Sequence, residues 1–138
     1  MKKYLIFILL ASLFVACSQS KEELIQGKWK IADITSPKPN IPDSLNAYYE
    51  DQLEMQNEEL LKNGYYEFKK DGSSDFILND QANPGQWRLD ENKEHFFVKG
   101  KNEISEIDFT IKELSKNIFI LESTIDGQII RMVLKKEL

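Results

Sequence analysis

The chain has 138 residues, 30% of them charged and 41% hydrophobic, which is enough for one domain with an ordinary apolar core. Its net charge of −5, with no lysine or arginine cluster, excludes the basic face that nucleic-acid phosphates require. The single cysteine excludes an intrachain disulfide, so the fold must stand on its core.

Met1-Lys2-Lys3 is a positive start, and Tyr4 to Ala16 is a run of thirteen uncharged residues. A membrane-spanning helix needs about 20. A charged start, a short apolar run and small residues at its end read as a secretion signal over 1–16, outside the fold. Losing it moves the net charge from −5 to −7. Phe14-Val15-Ala16-Cys17 resembles the lipobox of bacterial lipoproteins, with Phe14 where leucine is commonest. The resemblance implies that the Cys17 thiol receives a diacylglyceryl group, that the peptide is cut just before it, and that the new amine is acylated by a palmitate-type chain. Two or three acyl chains anchor a protein stably where one does not. The alternative is an ordinary cleaved signal with a chance cysteine. Residues 17–23 then form the acylated cysteine and a polar tether. In that tether Lys21-Glu22-Glu23 resembles the surface-sorting triplet of some Bacteroidota lipoproteins, set further from the cysteine than in that signal, and otherwise reads as a solvated linker. The expected location is the outer membrane, lipid-anchored, on its periplasmic face or the cell surface.

The domain spans 24–138. Gly27 to Ile34 alternates Trp29 and Ile31 against Lys28 and Lys30, the period of a half-buried strand, and Pro37, Pro39 and Pro42 end it. From Asp43 to Asn63 the period becomes helical. Leu45, Tyr48, Tyr49, Leu53, Met55 and Leu60 fall within an arc of about 160°, between Pro42-Asp43-Ser44 as N-cap and Asn63-Gly64 as C-cap. This is the one helix expected in the mature chain, and its acidic outer face favours packing on the domain over lying on a membrane. Seven further strands follow: Tyr65 to Lys69, Ser74 to Leu78, Gln86 to Leu89, Glu94 to Val98, Ile107 to Lys112, Ile118 to Thr124 and Ile130 to Lys135. Asp71-Gly72 and Asp126-Gly127 are hairpin signals, and Asn79 to Gly85 reads as a loop. Short links imply antiparallel neighbours, and closing the row of strands removes its exposed edges. The expected fold is mainly β, an eight-stranded antiparallel up-and-down barrel with one α-helix between strands 1 and 2.

Gly27-Lys28-Trp29, Tyr66-x-Phe68 with Asp71-Gly72, and Gly85-Gln86-Trp87 follow one another as in the lipocalin-like domains of small Bacteroidota lipoproteins, and the resemblance covers Leu24 to Leu138. It implies a lipocalin-like barrel whose floor is closed by Trp29. The helix position and the short chain depart from ligand-carrying members and leave less room inside.

No catalytic constellation stands out. His95 is the only histidine, and no Gly-x-Ser-x-Gly or phosphate loop occurs. No metal site or cofactor is expected. Asp71-Gly72-Ser73-Ser74-Asp75 lacks calcium-loop spacing and reads as a turn. The inward aromatics, Tyr66, Phe68, Trp87, Phe96 and Phe109 among them, are either a closed core or the wall of an apolar pocket. The helix either caps the barrel with Leu45, Tyr49, Leu53 and Leu60 or presents Tyr48 and Tyr49 to a partner. The reading is a non-enzymatic, membrane-anchored lipoprotein binding a small apolar or amphiphilic ligand in the barrel. The alternative is an envelope protein-interaction module (inhibitor, immunity protein or accessory subunit) with a filled core.

Overall fold

The structure, a computed structural model, describes residues 18–35 and 41–138. Cys17, the signal segment, Pro37 and Pro39 lie outside the described residues. The element order is α1 (Lys21–Ile25), β1 (Gly27–Thr35), α2 (Asp43–Asn63), β2 (Gly64–Phe68), β3 (Ser73–Leu78), β4 (Gln81–Leu89), β5 (His95–Gly100), β6 (Ile107–Leu114), β7 (Ile118–Ile125) and β8 (Gln128–Lys136). The eight strands form a closed barrel in sequence order, each antiparallel to its neighbours, with β8 returning to β1. The lipocalin-like up-and-down barrel with a helix between its first two strands is therefore present.

Up-and-down order gives the barrel two distinct ends. The floor gathers the start of β1, the ends of β2, β4, β6 and β8, and the turns at 69–72, 90–94 and 115–117. The mouth gathers α2, the turn at 79–80, the loop 101–106 and the turn at 126–127. The core is concentrated toward the floor. Trp29, Phe96, Phe119, Leu121 and Leu134 are essentially inaccessible, and Ile31, Phe68, Trp87, Phe109 and Met132 are nearly so. Rings meet edge to face, Phe96 with Phe68 and with Phe119 at 5.2 Å each, an arrangement that aromatic quadrupoles favour. Both tryptophans satisfy their indole N–H on backbone carbonyls, Trp29 on Ile25 at 2.6 Å and Trp87 on Lys69 at 2.9 Å.

Three features depart from the sequence reading. First, a second helix, α1, begins inside the stretch read as a tether. Ser20 and Glu23 form a capping box, with the Glu23 amide donating to Ser20 Oγ at 3.2 Å and the Ser20 amide to Glu23 Oε2 at 3.1 Å. Glu22 pairs with Lys93, and Lys21 Nζ donates to the Lys93 carbonyl at 2.6 Å. Ile25 is fully buried. At the C-terminal end Lys136 Nζ donates to the Leu24 carbonyl at 2.7 Å and to the Gln26 carbonyl, above the Trp29 ring. The cap on the floor is thus this short helix.

Second, the long helix α2 does not cap the barrel. None of its residues is buried. Leu60 and Leu61 pack against the core, whereas Leu45 and Tyr49 are 47% and 41% exposed. At about 1.5 Å per residue the helix is about 30 Å long, and its main contacts are with β1, β2 and β3.

Third, the stretch Asn79 to Gly85 is not a loop. Asn79 and Asp80 make the whole turn, with φ of +50° and +62°, the primed geometry that matches strand twist. Asn83-Pro84-Gly85 belongs to β4. Proline is tolerated there because the Pro84 carbonyl, and with it the position of its missing N–H, points to the β5 side. That carbonyl accepts the Lys101 amide at 2.8 Å, just past the last residue of β5.

Candidate functional site

The barrel interior is filled at the floor and hollow at the mouth. The hollow is a cavity of about 130 Å³. Its apolar wall is Phe76, Val98 and Ile107, and its polar lining comes from Tyr66, Ser74, Asn83 and Glu103. Register explains why these residues meet. Tyr66 pairs with Phe76 across β2 and β3, Phe76 with Asn83 across β3 and β4, and Val98 with Ile107 across β5 and β6, so all share the inner face.

Two glycines make the room. Gly85 and Gly100 face each other across β4 and β5 on that inner face. A Cβ on Gly85 would collide with the Lys99 carbonyl and sit 3.2 Å from Ser74 Oγ. A Cβ on Gly100 would lie 3.1 Å from the Glu103 carboxyl carbon. The Glu103 side chain therefore occupies the inward space that any other residue at position 100 would fill. It is fastened there by a tight turn, in which the Gly100 amide donates to Glu103 Oε2 at 3.2 Å and the Glu103 amide to the Gly100 carbonyl at 3.1 Å.

The polar groups are poised rather than used up. Among the described residues neither the Tyr66 nor the Ser74 hydroxyl has a hydrogen-bond partner, and no buried side-chain polar atom lacks one, so both hydroxyls open onto the cavity. Ser74 is only 3% exposed. Burial, and after it the nearby Glu103 carboxylate, pushes the Tyr66 phenol up to about 12. It is a neutral donor and acceptor at physiological pH.

Of the residues that the sequence singled out for ligand contact, Tyr66 lines the cavity. Phe68, Trp87, Phe96 and Phe109 lie below it, packed into the core. All five face inward, but the four deeper ones sit where facing strands and α1 close around them. Trp29 is buried at the floor end against Phe119. Tyr48 and Tyr49 are exposed on α2, edge to face at 5.8 Å. Sequence reasoning missed Ser74, Asn83, Gly100, Glu103 and Ile107. The parity of Gly85 with Trp87, and of Gly100 with Val98, was a usable signal for a hollowed wall.

A larger groove, about 580 Å³, runs along the outside of the barrel where β6 and β7 part. Their pairing starts only at Thr110 and Glu122. The charges that line it are already partnered. Glu106 holds Arg88 at 2.6 Å, Asp108 holds His95 at 2.8 Å, and Glu122 lies near Lys112 and Arg131. The hydrogen bond to Asp108 raises the His95 pKa, as a surface ion pair does. This groove offers no uncommitted charged group, and the interior cavity is the better candidate. Among the described residues no cluster of His, Cys, Asp and Glu could hold a metal ion, and no helix is long and apolar enough to cross a membrane.

Comparison with known proteins agrees with this architecture. The family model of the lipocalin-like domain matches residues 25–121. Among solved structures, the crystal structure of a DUF4847 family protein from Bacteroides vulgatus is similar, with a TM-score of 0.53 at 13% identity, over 85% of this chain and 96% of that one. At that identity the likeness concerns the fold alone. No curated protein matches the chain.

Proposed function

The chain belongs to the lipocalin-like domain family, and from that premise we propose that it is a non-enzymatic lipoprotein, anchored to the outer membrane through Cys17, that binds a small amphiphilic ligand in the mouth of its barrel. The observation that carries the reading is the mouth cavity, with an aromatic and aliphatic wall on one side and two unpartnered hydroxyls on the other. A few convergent polar groups in an apolar concavity are the usual form of a small-molecule site. At about 130 Å³ it is well below the roughly 300–1,000 Å³ of drug-sized sites. It holds a small molecule whole, or the head of a longer one whose tail lies along the rim. The reading assigns no catalytic residue and no cofactor.

The test is native mass spectrometry of the full chain, purified from its host's envelope in mild detergent. A reproducible added mass that is lost on denaturation supports the reading and weighs the occupant. A bare mass overturns it in favour of the interaction module. One observation favours that second reading. Among the described residues, and apart from Leu138, the large exposed apolar side chains belong to α2, to the loop 101–106 and to the mouth ends of β7 and β8, led by Ile104 at 97% and by Tyr48 and Met55 at 64%. Exposed apolar surface of that kind marks contact sites.

A further inference from the structure

We infer that the ligand of the mouth cavity carries a positive charge: a small organic ammonium compound, held by the Glu103 carboxylate and the ring faces of Tyr66 and Phe76. The inference rests on the ligand-binding reading above and adds the chemical class.

Glu103, itself exposed to solvent, sets its carboxylate at the cavity rim over Gly100. Lys99 also borders the cavity, but Lys99 pairs with Gln86 on the outer face, and its ammonium acts on Glu106 outside the barrel. The Glu103 carboxylate accepts a single backbone amide, and among the described residues it has no ion-pair partner. Some of the outer-face acids are paired. Asp75 pairs with Lys69, Glu106 with Arg88 and Glu137 with Lys28. A carboxylate left without a cation, folded over Gly100 into the opening, sets a negative potential across the entrance.

That potential selects. An anionic head group would meet Glu103 with no compensating lysine or arginine inside the cavity. An ammonium would meet the carboxylate in a charge-assisted hydrogen bond, stronger than a neutral one. The stacked and tilted rings add to this. Tyr66 and Phe76 both line the cavity, and aromatic rings attract cations within about 6 Å of their centroids. The Ser74 and Tyr66 hydroxyls supply acceptors for the remaining N–H groups. Two hydroxyls without internal partners, one on a residue 3% exposed, are what such a head group would satisfy.

The experiment uses three probes of one shape and three charges: benzylammonium, benzyl alcohol and benzoate. Each is titrated into the ¹⁵N-labelled full chain in nonionic detergent, and the backbone amides of Tyr66, Ser74, Gly85 and Gly100 are followed by NMR. The expected result is that benzylammonium binds about fivefold to tenfold more tightly than benzyl alcohol and that benzoate leaves these amides unmoved. Glu103→Gln should abolish the preference, so that on the variant benzylammonium binds no more tightly than benzyl alcohol, with amide dispersion showing that the barrel is folded. If benzyl alcohol or benzoate binds as well as benzylammonium, or if Glu103→Gln keeps the preference, the cationic assignment is overturned while ligand binding in the mouth stands. If none of the three moves the mouth amides, both the assignment and the ligand-binding reading fall.

Discussion

Tyr66 and Phe68 stand two residues apart on one strand, face the same way and stack at 10° with 5.6 Å between centroids, yet one lines a cavity and the other plugs a core. Facing is a property of parity and is legible in the alternation of the sequence. Depth along the barrel axis is set by which residues of other strands come level with it. Tyr66 shares the mouth cavity with Asn83, Gly85 and Gly100, which are small or polar, whereas Phe68 meets the Trp87 and Phe96 rings. The burial of the Tyr66 phenol has a measurable consequence. Its pKa is raised from 10 to about 12 in the folded chain, so the folded state keeps a proton that the unfolded state has already lost. The associated stability is fully present below pH 10 and is lost as pH rises through 12, an effect of up to about 3 kcal/mol. Tyrosinate absorbance should show one phenol titrating late. Tyr66→Phe should remove that late step together with the matching fall in urea-denaturation stability. A late step that persists in the variant would assign it elsewhere.

At the level of elements, the two helices exchange the roles that their sequences suggest. The apolar arc of α2 is real on a helical wheel, but only its last turns meet the barrel, through Leu60 and Leu61. The five residues of α1 are too few to show a period, yet they carry a fully buried Ile25 and close the floor. Substitutions along α2 should therefore divide sharply. Leu45→Ser and Tyr49→Ser are expected to change stability by no more than about 0.5 kcal/mol, as exposed sites do. Leu60→Ala, which removes packing against the core, should cost about 2 kcal/mol. Chemical denaturation of the three variants checks this, and equal losses at all three would mean that the whole helix is docked in solution. The extension of β4 through Asn83-Pro84-Gly85 belongs to the same scale. Those residues carry every signal of a loop, and they sit in a strand because the proline's missing donor falls where β5 has ended.

At the scale of the whole molecule, the floor and the mouth are opposed. The chain enters at the floor, where residue 18 precedes α1, while the cavity and the exposed apolar residues of Ile104 and α2 lie at the other end. An anchor at Cys17 would hold the floor toward the bilayer and turn the mouth away from it. Cys17→Ser is expected to move the protein from the membrane fraction to the soluble fraction of the envelope with its barrel intact, as read by fractionation and circular dichroism. Retention in the membrane fraction would overturn the lipid-anchor proposal.

The sequence by itself determined the strand count, the antiparallel order, the closure and the inward parity of the aromatic residues. Each of these follows from local period, turn chemistry and the need to leave no edge unpaired, and none requires knowing what lies across the barrel. Only the tertiary structure decided where the interior is full and where it is open, which helix closes the floor, and that the exposed Glu103 lies over Gly100 at the cavity rim. Those outcomes depend on the level at which eight strands bring large and small side chains together. That level is fixed by register and by bulges such as those between Ile31 and Asp33 and between Ile111 and Glu113, which only the assembled sheet defines.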